Sequence, residues 1–208
     1  MRDLLPPGVG VQGERGIAFV ITGPSGAGKS SVISALLARD PSLRFCPSLT
    51  TRPPRPQEVH GRDYYFLSEA EFDQLLAQGA LLEWAEYQGH RYGTLKREVV
   101  NHLAQGLDVV LNKEVRGALA IKRAGLGYPV VLVFLVPPSW EELVRRVRGR
   151  GTEDEAAVAE RLRIAQTELA RIPDFDYLVV NDELSAAVAR VEAIIQAERM
   201  RIARCGSA

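Results

Sequence analysis

Gly23-Pro24-Ser25-Gly26-Ala27-Gly28-Lys29-Ser30 follows an apolar run, Ile17-Ala18-Phe19-Val20-Ile21, and opens a helix-like segment from Ser31 to Arg39. Strand, G-x-x-x-x-G-K-[ST] loop and helix in that order form a phosphate-binding loop. Glycines at 23, 26 and 28 let the backbone curl with its N–H groups facing inward around a phosphate. The helix N-terminus adds partial positive charge at the same place. Lys29 is expected to reach the β- and γ-phosphates, and the Ser30 hydroxyl to ligate Mg²⁺. A glycine-rich connector would explain the glycines, but not the lysine and serine at this spacing between a strand and a helix. A nucleoside triphosphate is therefore expected on Gly23, Pro24, Ser25, Gly26, Ala27, Gly28, Lys29, Ser30 and Ser31.

The chain around this loop has 208 residues, 46% hydrophobic and 25% charged, ordinary for a soluble α/β domain with an insertion or two. Formal net charge is zero, so no long-range field favours nucleic acid or an anionic membrane. Four of the basic residues, Lys29, Lys96, Lys113 and Lys122, are lysines and 22 are arginines, so the placement of the arginines matters more than their number. Cys46 and Cys205 show no metal-ligand spacing, and free, reduced thiols are expected. No signal core and no run of 18 apolar residues is present, so a cytoplasmic location is expected. Monomer and homo-oligomer both stay open.

Residues 1–15, rich in proline and glycine, read as a flexible N-terminal tail. Alternating strand and helix patterns over 16–44, 95–138 and 172–208 predict a core with a mostly parallel sheet flanked by helices. Its strands are expected at Val109–Leu111, Pro129–Val136 and Tyr177–Val180, with a last helix from Leu184 to about Arg204. Residues 45–94 change character, being rich in Pro, Thr, Tyr and Arg, and read as an inserted lobe. Within it Ser68 and Glu71 form a capping box for a helix over 68–78. Residues 139–171 read as a helix pair broken at Gly149-Arg150-Gly151, the second helix starting at Thr152.

The lobe carries the densest signal. Ser48-Leu49-Thr50-Thr51-Arg52-Pro53-Pro54-Arg55 is followed by Glu58, Gly61, Tyr64 and Phe66, then Glu83-Trp84 and Tyr92-Gly93-Thr94. Planar bidentate donors such as Arg52 and Arg55 suit a phosphate dianion, and the phenols of Tyr64 and Tyr92 can donate to its other oxygens. A carboxylate such as Glu83 accepts from two adjacent N–H donors at once, as guanine presents them. Singly, each of these residues is more often structural; their order is what points to a site. In that order the chain resembles the guanylate kinases, whose pattern S-x-T-T-R-x-P-R-x-G-E-x-x-G-x-x-Y-x-F is met nearly throughout from Ser48 to Phe66. The likeness runs from about residue 17 to 200.

The resemblance implies a P-loop kinase with a GMP-binding lobe at 45–94 and a helical lid at 139–171. It implies transfer of the γ-phosphoryl group of ATP to GMP, with Mg²⁺, giving ADP and GDP; tolerance of dGMP is left open. It assigns Ser48, Arg52, Arg55, Tyr64, Glu83, Tyr92 and Thr94 to GMP, and Asn181 to the ATP side near the adenine. Lys29, Arg52, Arg146, Arg150 and Arg161 are expected to act on the transferring group, with Arg145 and Arg148 structural. One departure stands out. Where the family reads L-[DE]-I-D-x-Q-G, this chain reads Leu111-Asn112-Lys113-Glu114-Val115-Arg116-Gly117. Asn112 replaces an acidic residue, and Glu114 is the remaining carboxylate candidate for the GMP site. Gln57 also replaces the glycine before Glu58. A neutral amide attracts Mg²⁺ less than a carboxylate does.

Three rival readings fit the sequence less well. Peptide-binding relatives of these kinases usually lack a complete phosphate loop, whereas Lys29 and Ser30 are intact. A GTP switch would continue Asn112-Lys113 into N-K-x-D, but Val115 stands where the Asp belongs. Kinases of other nucleoside monophosphates fit poorly with Glu83 and the Arg52–Tyr64 motif.

Overall fold

The computed structural model describes residues 9–11, 15–87, 89–149 and 155–204. In chain order the elements are β1 (Val9–Val11), β2 (Ala18–Thr22), α1 (Lys29–Arg39), β3 (Arg44–Phe45), β4 (Ser48–Thr50), β5 (Tyr64–Phe66), α2 (Glu69–Ala77), β6 (Leu81–Tyr87), β7 (His90–Leu95), α3 (Lys96–Ala104), β8 (Val109–Asn112), α4 (Val115–Ala124), β9 (Val130–Val136), α5 (Trp140–Arg148), α6 (Glu155–Leu169), β10 (Tyr177–Val180), α7 (Leu184–Arg199) and β11 (Ile202–Arg204).

The central sheet has five strands in the order β10-β9-β2-β8-β3, all parallel. Covered on both faces, its middle strands are near-continuous apolar runs, as parallel strands require. Alternation then divides each strand between two cores. Phe19, Ile21, Val110 and Val133 pack with α1 and α7 on one face. Val20, Leu111, Leu132 and Phe134 pack with α3 and α4 on the other. Because the strands are parallel, their carboxyl ends lie along one edge. That edge gathers the phosphate loop after β2, Asn112-Lys113-Glu114 after β8 and Asn181 after β10.

The second sheet, β5-β4-β7-β6, pairs β4 parallel to β5 and antiparallel to β7, with β6 antiparallel to β7. The polar spans Ser48–Thr50 and His90–Leu95 are strands although they show no apolar alternation; pairing with each other supplies their backbone partners. The Ser68–Glu71 capping box of α2 is present with both of its hydrogen bonds. This sheet leans on the core where β6 meets α4, and Gly117 makes the approach possible. A Cβ there would lie 3.2 Å from the Glu83 carboxylate.

Two expectations need correction at the chain ends. The last helix stops at Arg199 rather than about Arg204, and Ile202–Arg204 forms a strand. Its partner is Val9–Val11, expected to be part of a loose tail, in an antiparallel ribbon. Backbone pairing between segments 190 residues apart leaves no local apolar pattern to read. The start of α6 at Thr152, Arg150 and Cys205 all lie outside the described residues.

Candidate active site

The phosphate loop is held open by backbone geometry that only glycine accepts easily. Gly23 and Gly28 have φ of 142° and 90°, and a Cβ would collide with the Leu135 carbonyl at the first and the Asn181 amide at the second. Gly28 is also the N-cap of α1, with no side chain capping the first turn and no acidic residue in it, so the helix N–H groups there remain available to an anion. Lys29 is folded onto its own loop, its Nζ 2.5 Å from the Gly23 carbonyl and 3.3 Å from that of Pro24. Ser30 and Ser31 are exposed at the mouth.

Asn181 and α5 brace this loop from behind. Asn181 is buried, and its Nδ2 donates to the Ala27 carbonyl at 2.8 Å. Arg146 donates through Nη2 to the Asn181 carbonyl at 3.1 Å and through Nε to Glu142 at 2.6 Å. Arg145 and Arg148 are tied to Glu142 and Glu155.

Across the edge, the lobe sheet presents a second cluster. Glu83 is buried on β6, and the Thr94 hydroxyl on β7 donates to its Oε1 at 2.5 Å. Lys113 stands 3.4 Å from the same carboxylate and donates to the Ser48 hydroxyl at 2.6 Å. Burial pulls the Lys113 ammonium below the usual lysine range, and the Glu83 carboxylate opposes that. Lys113 went unnoticed in the sequence as a site residue. Its place rests on which way the chain turns just after β8, which the sequence does not show.

The residues expected to meet the GMP phosphate gather around β5 and the turn after β4, with Tyr64 paired opposite Ser48. Arg52 is held by Glu58, with Nη2 at 2.8 and 2.9 Å from its two oxygens, and its guanidinium lies 5.5 Å from the Tyr64 ring centre. Tyr64 and Tyr92 meet edge to face at 6.2 Å, and Tyr92 lies close enough to Arg52 to act on its guanidinium. Arg55 is exposed, its backbone N–H donating to Glu58.

A chain of charges joins the two halves. Glu168, near the end of α6, is half-buried and lies close to Glu114 and to the start of α4. Burial first and then Glu114 push the Glu168 carboxyl well above the usual range, while Lys29 pulls it back. Glu114 in turn acts on Tyr64 and Tyr87, and Arg161 acts on Tyr87. Lys29, Glu168, Glu114, the tyrosines and Arg52 are thus linked through space, each acting on the next. Glu168 is a second residue that sequence reading missed, because its partner Glu114 is far away in the chain.

A family model described as guanylate kinase matches residues 15–198 of this chain. The chain belongs to the guanylate kinase family. It is 47% identical over 195 residues to the guanylate kinase of Symbiobacterium thermophilum, covering 93% of this chain and 91% of that one. With the guanylate kinase of Thermobifida fusca it shares 49% over 177 residues, 82% of this chain and 89% of the relative. The crystal structure of guanylate kinase from Anaplasma phagocytophilum superposes with a TM-score of 0.76 at 30% identity, covering 90% of this chain and 88% of that chain. Against the guanylate kinase pattern quoted above, the segment around the end of β8 departs at four positions, Asn112, Lys113, Glu114 and Arg116. Asn112 is half-buried at the strand end, and Lys113 is turned into the Glu83 cluster.

Proposed function

We propose that this chain transfers the γ-phosphoryl group of ATP to GMP, and that the residues gathered along the cleft divide that work as follows. Lys29 leaves the Gly23 and Pro24 carbonyls for the β- and γ-phosphates, which the loop N–H groups surround. Arg52, with Tyr64, Tyr92 and Arg55, takes the phosphate of GMP, Glu58 giving up Arg52 as it does so. Glu83 accepts from guanine N1–H and N2–H. Because Lys113 already donates to the Ser48 oxygen, the Ser48 hydrogen is left to serve guanine O6. Adenine offers the reverse polarity at these atoms and leaves buried groups unpaired.

A GMP phosphate oxygen then attacks the γ-phosphorus as the bond to the β–γ bridging oxygen breaks, and ADP departs. No protein nucleophile is needed; alignment and charge neutralisation by Lys29, Arg146, Arg150 and Arg161 lower the barrier. Asn181 serves the ATP side by bracing the loop at Ala27. Mg²⁺ fits the oxygen donors at the loop mouth, where the exposed Ser30 hydroxyl can join phosphate oxygens and retained waters. When bound it would neutralise charge on the β- and γ-phosphates. No helix among the described residues is long and apolar enough to cross a membrane, and a cytoplasmic location goes with soluble nucleotide substrates.

The observation that supports this reading best is the buried Glu83–Thr94–Lys113–Ser48 cluster, whose Lys113 follows β8 beside Ile21, at the carboxyl edge of the sheet that also carries the phosphate loop. Its test is ADP release from ATP with GMP, AMP, CMP and UMP in turn. Turnover with GMP alone is expected. Turnover with AMP, or with none, overturns it.

A further inference from the structure

Cys46 is buried in the short link between β3 of the core sheet and β4 of the lobe. The chain returns from the lobe at the other end of β7, directly into α3. Cys46 packs with Val99 and Leu103 on the buried face of α3. Beside that face, Glu98 and His102 are four residues apart, so they stand one above the other on the helix. A thiol, a carboxylate and an imidazole thus offer one ligand atom each, all within 4.8 Å of one another. A second observation points to the same place. Among the described residues, Thr22 Oγ1 and His102 Nδ1 are the buried side-chain nitrogen or oxygen atoms left without a hydrogen-bond partner. A native protein seldom leaves such an atom unsatisfied unless something binds there. Glu98 has one long contact, from the Tyr65 hydroxyl at 3.5 Å.

We propose that Cys46, Glu98 and His102 bind a divalent ion of the zinc class, tying together the two chain crossings between core and lobe. Sulfur, nitrogen and oxygen donors in one set select a borderline-soft ion over Mg²⁺ or Ca²⁺. One thiolate and one carboxylate balance the charge of two. Burial pushes the Cys46 thiol up to about 12, so the free protein keeps its proton; binding forms the sulfur–metal bond and releases that proton to solvent. Glu98 and His102 are half-buried, leaving an entry path and a fourth position for water. The three ligands belong neither to the phosphate loop nor to the Glu83 cluster; Lys113 of that cluster acts on both Cys46 and Glu98 from nearby, and occupancy of the site does not depend on the proposed reaction.

The test uses the full chain, stripped with a chelator and free of nucleotide. Zn²⁺ is titrated against a chromophoric chelator, and Co²⁺ is added to a second sample for absorption spectra. Expected are one ion per chain, a thiolate-to-cobalt charge-transfer band, and a rise in melting temperature with Zn²⁺. Cys46→Ser should abolish the band, and His102→Gln should weaken binding by at least about tenfold. Cys205→Ser should change neither. If Cys46→Ser does not fold, His102→Gln, at a half-exposed position, carries the comparison through affinity and melting shift. Absence of a stoichiometric ion in the unmutated chain, unchanged affinity in His102→Gln, or loss of the band in Cys205→Ser overturns the proposal.

Discussion

Glu83 is buried, and its neighbours supply the partners a buried carboxylate needs. Thr94 donates to one oxygen and Lys113 supplies a nearby positive charge. A glutamine at 83 would present an N–H₂ group where guanine needs an acceptor. Glu83→Gln is therefore expected to lower kcat/KM for GMP by about 3 kcal/mol, on the order of a hundredfold, with KM for ATP unchanged in initial-rate assays. Lys113 makes a different prediction. Lys113→Met keeps the aliphatic stem and removes the charge, leaving the buried Glu83 carboxylate without its cationic neighbour and the Ser48 hydroxyl without its donor. KM for GMP should rise about tenfold, with KM for ATP unchanged in initial-rate assays. An unchanged KM for GMP would count against a role for Lys113 beside the base. Glu83, Thr94 and Ser48 were legible in the sequence as a set because they recur in a long ordered pattern. Lys113 was not, because its role rests on which way a strand end turns.

At the scale of elements, β2, the glycine loop and α1 were legible almost completely. An apolar run, positive-φ glycines and a helix start all occur within 25 residues, so local chemistry dictates the geometry. Lys29→Met should reduce kcat by on the order of a thousandfold while leaving the circular dichroism spectrum unchanged. Helix α6 behaves differently. Its inward residue Glu168 depends on Glu114 and Val115, about 50 residues earlier in the chain. Since folding raises the Glu168 pKa, its contribution to stability is full below the ordinary carboxylate range and is lost as pH rises through the raised value. Glu168→Gln imitates the protonated form. Its melting temperature should fall less than that of the unmutated chain between about pH 6 and 9; parallel curves would show that Glu168 does not titrate there. The ribbon of β1 and β11 was invisible from sequence, since its ladder joins the two ends of the chain.

For the molecule as a whole, the cleft has its two halves on different elements, and a ligand spanning both should hold them together. An adenosine–guanosine compound linked through phosphates, at a hundredfold excess over its Kd, should stabilise the fold by about 2.7 kcal/mol. In a chain of this size that raises Tm by about 5–10 °C. The shift should vanish in Glu83→Gln at the same concentration, measured by calorimetry. The phosphate loop, the parallel core and the family were determined by the sequence alone, because each is written in short-range spacing or in an ordered motif. Tertiary structure alone decided that Lys113 enters the Glu83 pocket, that Glu168 meets Glu114, and that Cys46 lies beside Glu98 and His102. Each of those meetings depends on side-chain direction across segments far apart in the chain, which no local pattern encodes.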